Sequence, residues 1–448
     1  MGLTGIQIFK LLPKTNCKEC GVPTCLAFAM NLAAGKAELS SCPYVSEEAK
    51  AMLAEAAAPP IRPLAIGTGE NVVRIGGETV LFRHEKTFVN KPGIALLVSD
   101  SMAEAEVDAR LRRFNELKYE RVGLVLRPEM VAIKSESGDP ARFAALVKRV
   151  KEQSDGALIL MSDKVEVLQA GLKEGADRNP LIYAATEENS DALANLAKEY
   201  KCPLAVRAQS LEALSALCDK LTAAGLKDLV LDSGARTLRR AFEDQVFIRR
   251  AALIQKNRSL GFPTITFPAE MATDLMKETL IAATFIAKYA GIIVLSDFQG
   301  ESLFPLLVER LNIFTDPQRP MMMQQGIYPI GNPTEDSPVM ITTNFSLTYF
   351  IVSGEIEASR VPSWLLVMDT EGLSVLTAWA AGKFVGDAIG AFVKKSGITD
   401  KVKHRRVIIP GAVAAVSGDL EEELGSGWEV KIGPREAAHL PAYLKMGN

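Results

Sequence analysis

The chain has 448 residues, too many for one ordinary domain and enough for two or three. Hydrophobic residues are 48% of the total and charged residues 23%, the balance of a globular protein with a large core. A net charge of −3 excludes bulk attraction to nucleic acid or an anionic membrane, and the longest apolar stretch, Leu280–Ser296, is broken by Lys288 and Tyr289 and reads as a buried helix and strand.

The opening, MGLTGIQIFKLLPK, lacks a basic segment followed by an apolar run and a small-residue cleavage site. Ile6 stands where myristoylation needs Ser or Thr, so a cytoplasmic protein is expected. Residues 1–58 read as a small helical module. Ile6, Leu11 and Leu12 mark a helix before Pro13, Cys25–Ala34 is Ala-rich and helical, and Ser46–Ala58 opens with the capping residues Ser46, Glu47 and Glu48. The sequence AAAPPIRP (56–63) is a linker. Within 59–92, Val72–Ile75, a Gly76-Gly77 turn and Thr79–Phe82 predict a hairpin that serves as a connector or as a barrel cap.

From Lys91 short apolar runs alternate with helical stretches. The runs are Ile94–Val98, Val122–Leu126, Leu158–Met161, Leu181–Ala185, Leu204–Val206, Leu229–Leu231, Thr264–Phe267 and Ile292–Leu295. Eight strand–helix units over 93–318 predict a (β/α)8 TIM barrel, with an open doubly wound sheet as the competing layout. Val131–Lys134 is a further run that would extend the second unit as a hairpin. Residues 315–337 carry four prolines and no periodicity, which marks a boundary loop and a candidate tether. Residues 319–448 then predict a third, α/β unit with mostly parallel strands. Its runs are Val339–Thr343, Phe345–Val352, Leu365–Met368, Arg406–Ile409 and Trp428–Ile432, with helices at Ser374–Lys395, Gly418–Leu424 and Pro434–Lys445.

Four of the six cysteines are spaced Cys17-x2-Cys20-x4-Cys25-x16-Cys42-Pro43. Disulfides are disfavoured in a cytoplasmic chain, so the four read as metal ligands. Three thiolates within nine residues, closed by a lone cysteine before proline, favour an iron–sulfur cluster, [4Fe–4S] first, with zinc as the alternative. Cys202 and Cys218 read as buried small hydrophobes. In the third unit the strand ends are Thr342-Thr343-Asn344, Asp369–Gly372, Pro410-Gly411-Ala412 and Gly433-Pro434. Such a rim offers free N–H groups and little bulk to a large flat ligand or its phosphate, and it equally describes ordinary βα turns. The chain has three histidines, His84, His404 and His439, and none falls on that rim.

The segments TNCKECGVPTCLAFAM, SCPY, ITTNFSLTYFIVSGEIE, MDTEGLSVLTAWAAGKF and GPREAAHLPAYLK make the whole chain resemble the large (gamma) subunit of the corrinoid iron–sulfur protein, the acetyl-CoA decarbonylase/synthase gamma subunit. The resemblance implies a [4Fe–4S] domain on Cys17, Cys20, Cys25 and Cys42, a central barrel and a C-terminal corrinoid-binding domain. It places corrinoid contacts at Met340, Thr343, Asn344, Ser346, Thr370, Glu371, Gly372, Leu373, Ser374, Gly411 and Gly433. It implies a methyl carrier of the reductive acetyl-CoA pathway, in a heterodimer with a small subunit. Cobalt would accept a methyl group from methyltetrahydrofolate through a methyltransferase and deliver it to acetyl-CoA synthase. The cluster would reactivate Co(II) to Co(I), and the histidine-free rim would leave cobalt without a protein ligand below. Two other readings stay open: a barrel that binds a pterin and transfers its methyl group unaided, through strand-end Asp100, Asp232 and Asp297, and an electron-transfer scaffold without corrinoid.

Overall fold

The computed structural model describes residues 4–33, 37, 39–50, 53, 59–318 and 320–446. The chain divides into two compact units: residues 1–82, 88–117 and 128–314, and residues 83–87, 118–127 and 315 onward.

The first unit begins with helix α1 (Gly5–Leu11), started by a capping box in which Thr4 and Gln7 bond each other's backbone N–H. Helix α2 (Cys25–Ala33) starts at the third cysteine. Ile8, Leu12, Phe28, Ala29 and Val45 form a small core around Cys25 and Cys42. Of the helix expected over 46–58, residues 47–50 are helical, and 51–52 and 54–58 lie outside the described residues.

Strands β1 (Leu64–Ile66) and β2 (Val73–Ile75) pair antiparallel, Leu64 opposite Ile75. The hairpin predicted between 72–75 and 79–82 is therefore corrected, since the partner precedes β2. Two hydrogen bonds explain the departure. The Arg249 guanidinium donates to the Val80 carbonyl (2.6 Å) and the Tyr289 hydroxyl to the Leu81 carbonyl (2.9 Å), so side chains take the acceptors a strand partner would use. Leu64, Ile66, Val73 and Ile75 pack into the barrel core with Met130, Ala157 and Leu181, so the pair is a cap.

Eight parallel strands make the barrel: β3 (Gly93–Ser99), β6 (Met130–Lys134), β7 (Ala157–Met161), β8 (Leu181–Ala185), β9 (Leu204–Arg207), β10 (Leu229–Asp232), β11 (Ile265–Thr266) and β12 (Ile292–Leu295). They adjoin in the order β10-β9-β8-β7-β6-β3-β12-β11, and a parallel bridge from Leu231 to Thr264 joins the two ends. The expected second strand, Val122–Leu126, is corrected. Tyr119–Arg121 (β4) and Leu124–Leu126 (β5) form a separate antiparallel hairpin, turned through Val122 (φ 55°) and Gly123 (φ 71°). A barrel strand is covered on both faces. Met130–Ile133 is fully buried, whereas Leu124 and Val125 are 52% and 61% exposed. The hairpin belongs to the second unit, where the Arg121 guanidinium lies 4.2 Å over the Phe350 ring.

The second unit holds a five-stranded sheet of β13 (Gly326–Ile330), β14 (Val339–Thr343), β15 (Ser363–Met368), β16 (Arg406–Ile409) and β17 (Glu429–Ile432), ordered β13-β15-β14-β16-β17. Only the edge strand β13 runs antiparallel. Two expectations change. Residues 326–330 of the supposed boundary loop form β13, and Met323 N bonds the Asn344 carbonyl (2.8 Å), so residues 323–330 are stitched to the sheet. Phe345–Val352 opens a helix, Ser346–Ser359, and the long helix over 374–395 splits into Val375–Ala380 and Gly386–Lys395 at Gly382 (φ 71°). No helix among the described residues is long and apolar enough to cross a membrane.

Arg310, 1% exposed, locks the start of the barrel. It donates to both Glu129 oxygens (2.7 Å each) and to the Pro92 carbonyl (2.8 Å), joining the last barrel helix to the entries of β3 and β6. Burial pushes the Glu129 carboxyl up, but Arg310 and Lys91 outweigh it and hold it below its ordinary 4.5. Its stabilising contribution is complete above that value and is lost as pH falls through the lower folded value. Arg310→Met leaves a buried carboxylate unpaired and should cost about 3–5 kcal/mol at neutral pH. Urea melts should show that gap narrowing on acidification, because without Arg310 burial raises the Glu129 carboxyl of the variant and it takes up a proton before the paired one does.

Candidate functional site

In an open parallel sheet a ligand cleft forms where the winding reverses, outside the strand C-termini. Here that place lies between β14 and β16, which pair at one position, Met340 opposite Ile408. Beyond it the strands part, and a cavity of about 350 Å³ opens. Met340 and Ile408 floor it, Thr348, Ile351 and Val352 of the 346–359 helix make one wall, and Ala437 and Leu440 make the other. Ser374–Leu376, Pro410, Ala412 and Gly433–Glu436 form the rim.

Thr342 also lines the cavity and is 1% exposed, and neighbouring Thr343 is 0% exposed. Among the described residues neither Oγ1 has a hydrogen-bond partner. A buried hydroxyl left without a partner costs about 1–3 kcal/mol, and the Thr342 hydroxyl is the one of the two that borders the cavity.

The rim loop is fixed by Asn344, 3% exposed. Its Oδ1 accepts from Thr370 N (3.0 Å), Thr370 Oγ1 (3.1 Å) and Gly372 N (3.0 Å), and its Nδ2 donates to Asp369 (2.9 Å). These bonds hold Glu371 (φ 57°) and Gly372 (φ 75°) in the left-handed region, the second being natural for glycine. Across the cleft Gly411 N bonds the Pro434 carbonyl (3.1 Å), and a Cβ at 411 would collide with the Gly433 carbonyl.

The structure therefore sorts the predicted contacts. Met340, Ser374 and Gly433 line the cavity. Asn344, Thr370 and Gly372 form the knot behind the rim, and Thr343 lies beside it. Glu371 is exposed and pairs with Lys383 (2.5 Å), while Leu373 packs into the core on the other face of the sheet. Ser346 is buried, its N–H on the Met321 carbonyl (3.0 Å), and Gly411 serves the close loop approach. Sequence reasoning put Thr342 on the strand-end rim without naming it a contact, and it missed the helical wall. The wall's spacing at 348, 351 and 352 was a readable signal. No histidine lines the cavity. His404 accepts from Arg406 N (3.2 Å) and meets the Ser337 carbonyl (2.9 Å) at the far end of β16.

Three of the four clustered cysteines share the core of the N-terminal module. Cys25 and Cys42 are buried in one core with Cys20 packed against it. Tyr44 donates to Glu19 (2.7 Å), and that bond, with Cys17 and Cys42 close by, pushes its hydroxyl up. Among the described residues no three His, Cys, Asp or Glu side chains converge closely enough for a single ion. A cluster asks for a wider cage, each thiolate binding its own iron. Cys202 and Cys218 are buried, and burial pushes their thiols up to about 11 and about 12.

The three barrel aspartates are all engaged. Asp100 accepts from Ser135, Glu136 and Ser137, and these bonds outweigh burial and hold its carboxyl below the ordinary range. Asp232 takes the Tyr183 hydroxyl (2.5 Å) and Arg236 (2.9 Å), and Asp297 takes Arg113 (2.6 Å).

Fold and sites together define a modular cofactor-binding protein: a four-cysteine module, a closed barrel and an open sheet with a cleft at its switch point. A family model described as the CO dehydrogenase/acetyl-CoA synthase delta subunit matches residues 63–444, and an Fe–S cluster model matches residues 12–44. The corrinoid/iron–sulfur protein large subunit of Moorella thermoacetica is 48% identical over 99% of both chains. The acetyl-CoA decarbonylase/synthase complex subunit gamma of Methanopyrus kandleri is 38% identical over 99% of this chain and 97% of that one. The chain belongs to this family of corrinoid/iron–sulfur large, or gamma, subunits. The delta-named model leaves the cysteine module outside its match, whereas the large and gamma subunits span it. Among solved structures, a dihydropteroate synthase from Xanthomonas albilineans shares 11% identity and a TM-score of 0.40 over 57% of this chain and all of that one, too distant to carry an argument.

Asn344→Ala would strip the acceptor from two backbone N–H groups and one hydroxyl. Chemical denaturation should show the second unit destabilised by about 2–4 kcal/mol.

Proposed function

We propose that this chain is a methyl carrier that holds a corrinoid in the β14/β16 cleft and a [4Fe–4S] cluster on Cys17, Cys20, Cys25 and Cys42. The observation that carries the reading is the cleft's orphaned, buried Thr342 hydroxyl, in a chain nearly half identical to a corrinoid/iron–sulfur protein over its full length. Met340, Ile351 and Leu440 would offer apolar contacts to part of a bound corrinoid, and Thr342, Ser374 and the backbone of 433–437 would offer polar partners.

When bound, the corrinoid supplies a cobalt that exchanges a methyl group with partner enzymes, and the cluster supplies the low-potential electron that restores it after accidental oxidation. The protein's share is to position and exclude. The Asn344 knot fixes the rim, the helical wall excludes water from one side, and the absence of histidine from the lining leaves the metal no imidazole there. In this reading the chain pairs with a small subunit, receives its methyl group from a methyltetrahydrofolate methyltransferase and delivers it to acetyl-CoA synthase. The unaided pterin methyltransferase is disfavoured, because Asp100, Asp232 and Asp297 are already saturated by the protein.

Anaerobic purification with metal analysis and a visible spectrum tests the assignment. Corrinoid bands beside broad iron–sulfur absorption are expected, and iron without cobalt would leave only the scaffold reading. Cys20→Ser should lose the iron–sulfur absorption and keep the corrinoid. Reduced chemically, that variant should still accept a methyl group in a single turnover, and failure there would show that the cluster takes part in each transfer. Thr342→Val separates ligand from fold: removing an unpartnered hydroxyl should leave the cofactor-free chain as stable or more so. It should weaken corrinoid binding by about 5- to 150-fold in a binding titration.

A further inference from the structure

The loop ahead of the first cysteine carries a reciprocal clamp. Asn16 sits in the left-handed region (φ 50°), which asparagine tolerates better than most residues. Its Oδ1 accepts from the Cys25 N–H at 2.8 Å, and its own N–H donates to Cys25 Sγ at 3.4 Å. Cys25 is the first residue of α2 and is 5% exposed, so its N–H is one of the donors a helix start leaves without an intrahelical partner. The Asn16 carboxamide satisfies that donor and thereby holds its own backbone where the second bond, to sulfur, can form.

An N–H bonded to a ligating thiolate withdraws electron density from it and favours the reduced, more negative form of the cluster, raising its potential. Neither the cysteine spacing nor the family assignment gives Asn16 a role. We propose that Asn16 is a positioning residue that fixes Cys25 and, through its own N–H, sets the electron affinity of the cluster. The proposal rests on the reading of the four cysteines as cluster ligands. A helix-capping role alone would predict an effect on folding and none on potential.

The test uses the full chain, purified anaerobically with its cofactors, in unaltered form and as Asn16→Gly and Asn16→Asp. Glycine adopts the left-handed conformation freely, so Asn16→Gly removes the carboxamide without straining the loop. Iron and sulfide content report assembly, and a redox titration followed by electron paramagnetic resonance reports the midpoint. Expected for Asn16→Gly is full iron, a more negative midpoint and an altered spectrum of the reduced cluster. A midpoint and spectrum equal to those of the unaltered protein, at full iron, overturn the proposal. Should Asn16→Gly not assemble a cluster, Asn16→Asp decides, because it keeps an acceptor for Cys25 N–H. Restored iron with the exchangeable-proton coupling of the residue-16 N–H kept in the resonance of the reduced cluster supports the clamp, whereas unrestored iron, or full iron without that coupling, overturns it. Absence of iron from the unaltered protein would instead refute the cluster reading itself.

Discussion

A doubly wound parallel sheet has to reverse its winding somewhere, and the strands that flank the reversal lose their neighbours' crossover on one side. In the second unit that constraint falls on β14, which passes to β15 on one edge and meets β16 at a single residue pair on the other. Strand β14 ends in Thr342-Thr343-Asn344, and these three residues divide the work. The two threonines are buried with their hydroxyls unspent, and the asparagine spends its side chain on four hydrogen bonds that shape the opposite loop. The cavity, its rim and the Thr342 hydroxyl that borders it all depend on where this strand stops.

The barrel shows the contrary use of polar groups. Several of its buried and half-buried charges are paired within the protein: Arg310 with Glu129, Arg249 with Glu78, and Asp232 with Arg236 and Tyr183. Paired charges in a low-dielectric setting fix geometry and leave nothing over for a substrate. The three engaged barrel aspartates contrast with Thr342, whose unpartnered hydroxyl borders a cavity in the second unit.

Much of the fold was legible because periodicity survives burial. Seven of the eight barrel runs coincide with barrel strands. The exception, Val122–Leu126, is as apolar and β-branched as a core strand, and only the solvent exposure of Leu124 and Val125 separates it from Met130–Lys134. The same limit explains the cap: Thr79–Phe82 has strand composition, but Arg249, some 170 positions later in the chain, takes its backbone carbonyl. Residues 326–330 read as loop because Pro329 and two glycines nearby mimic a breaker, whereas an edge strand tolerates proline.

The sequence by itself determined the cysteine module, the repeating strand–helix order and the polar strand ends, since ligand spacing and hydrophobic period are local properties of the chain. Tertiary structure alone decided which strand-end residues face a cavity and which brace it. Met340, Ser374 and Gly433 line the cleft, and Asn344 and Thr370 tie its rim. A threonine with a partner and one without are identical in sequence, and only the packing of two helices across diverging strands leaves Thr342 with a hydroxyl to offer.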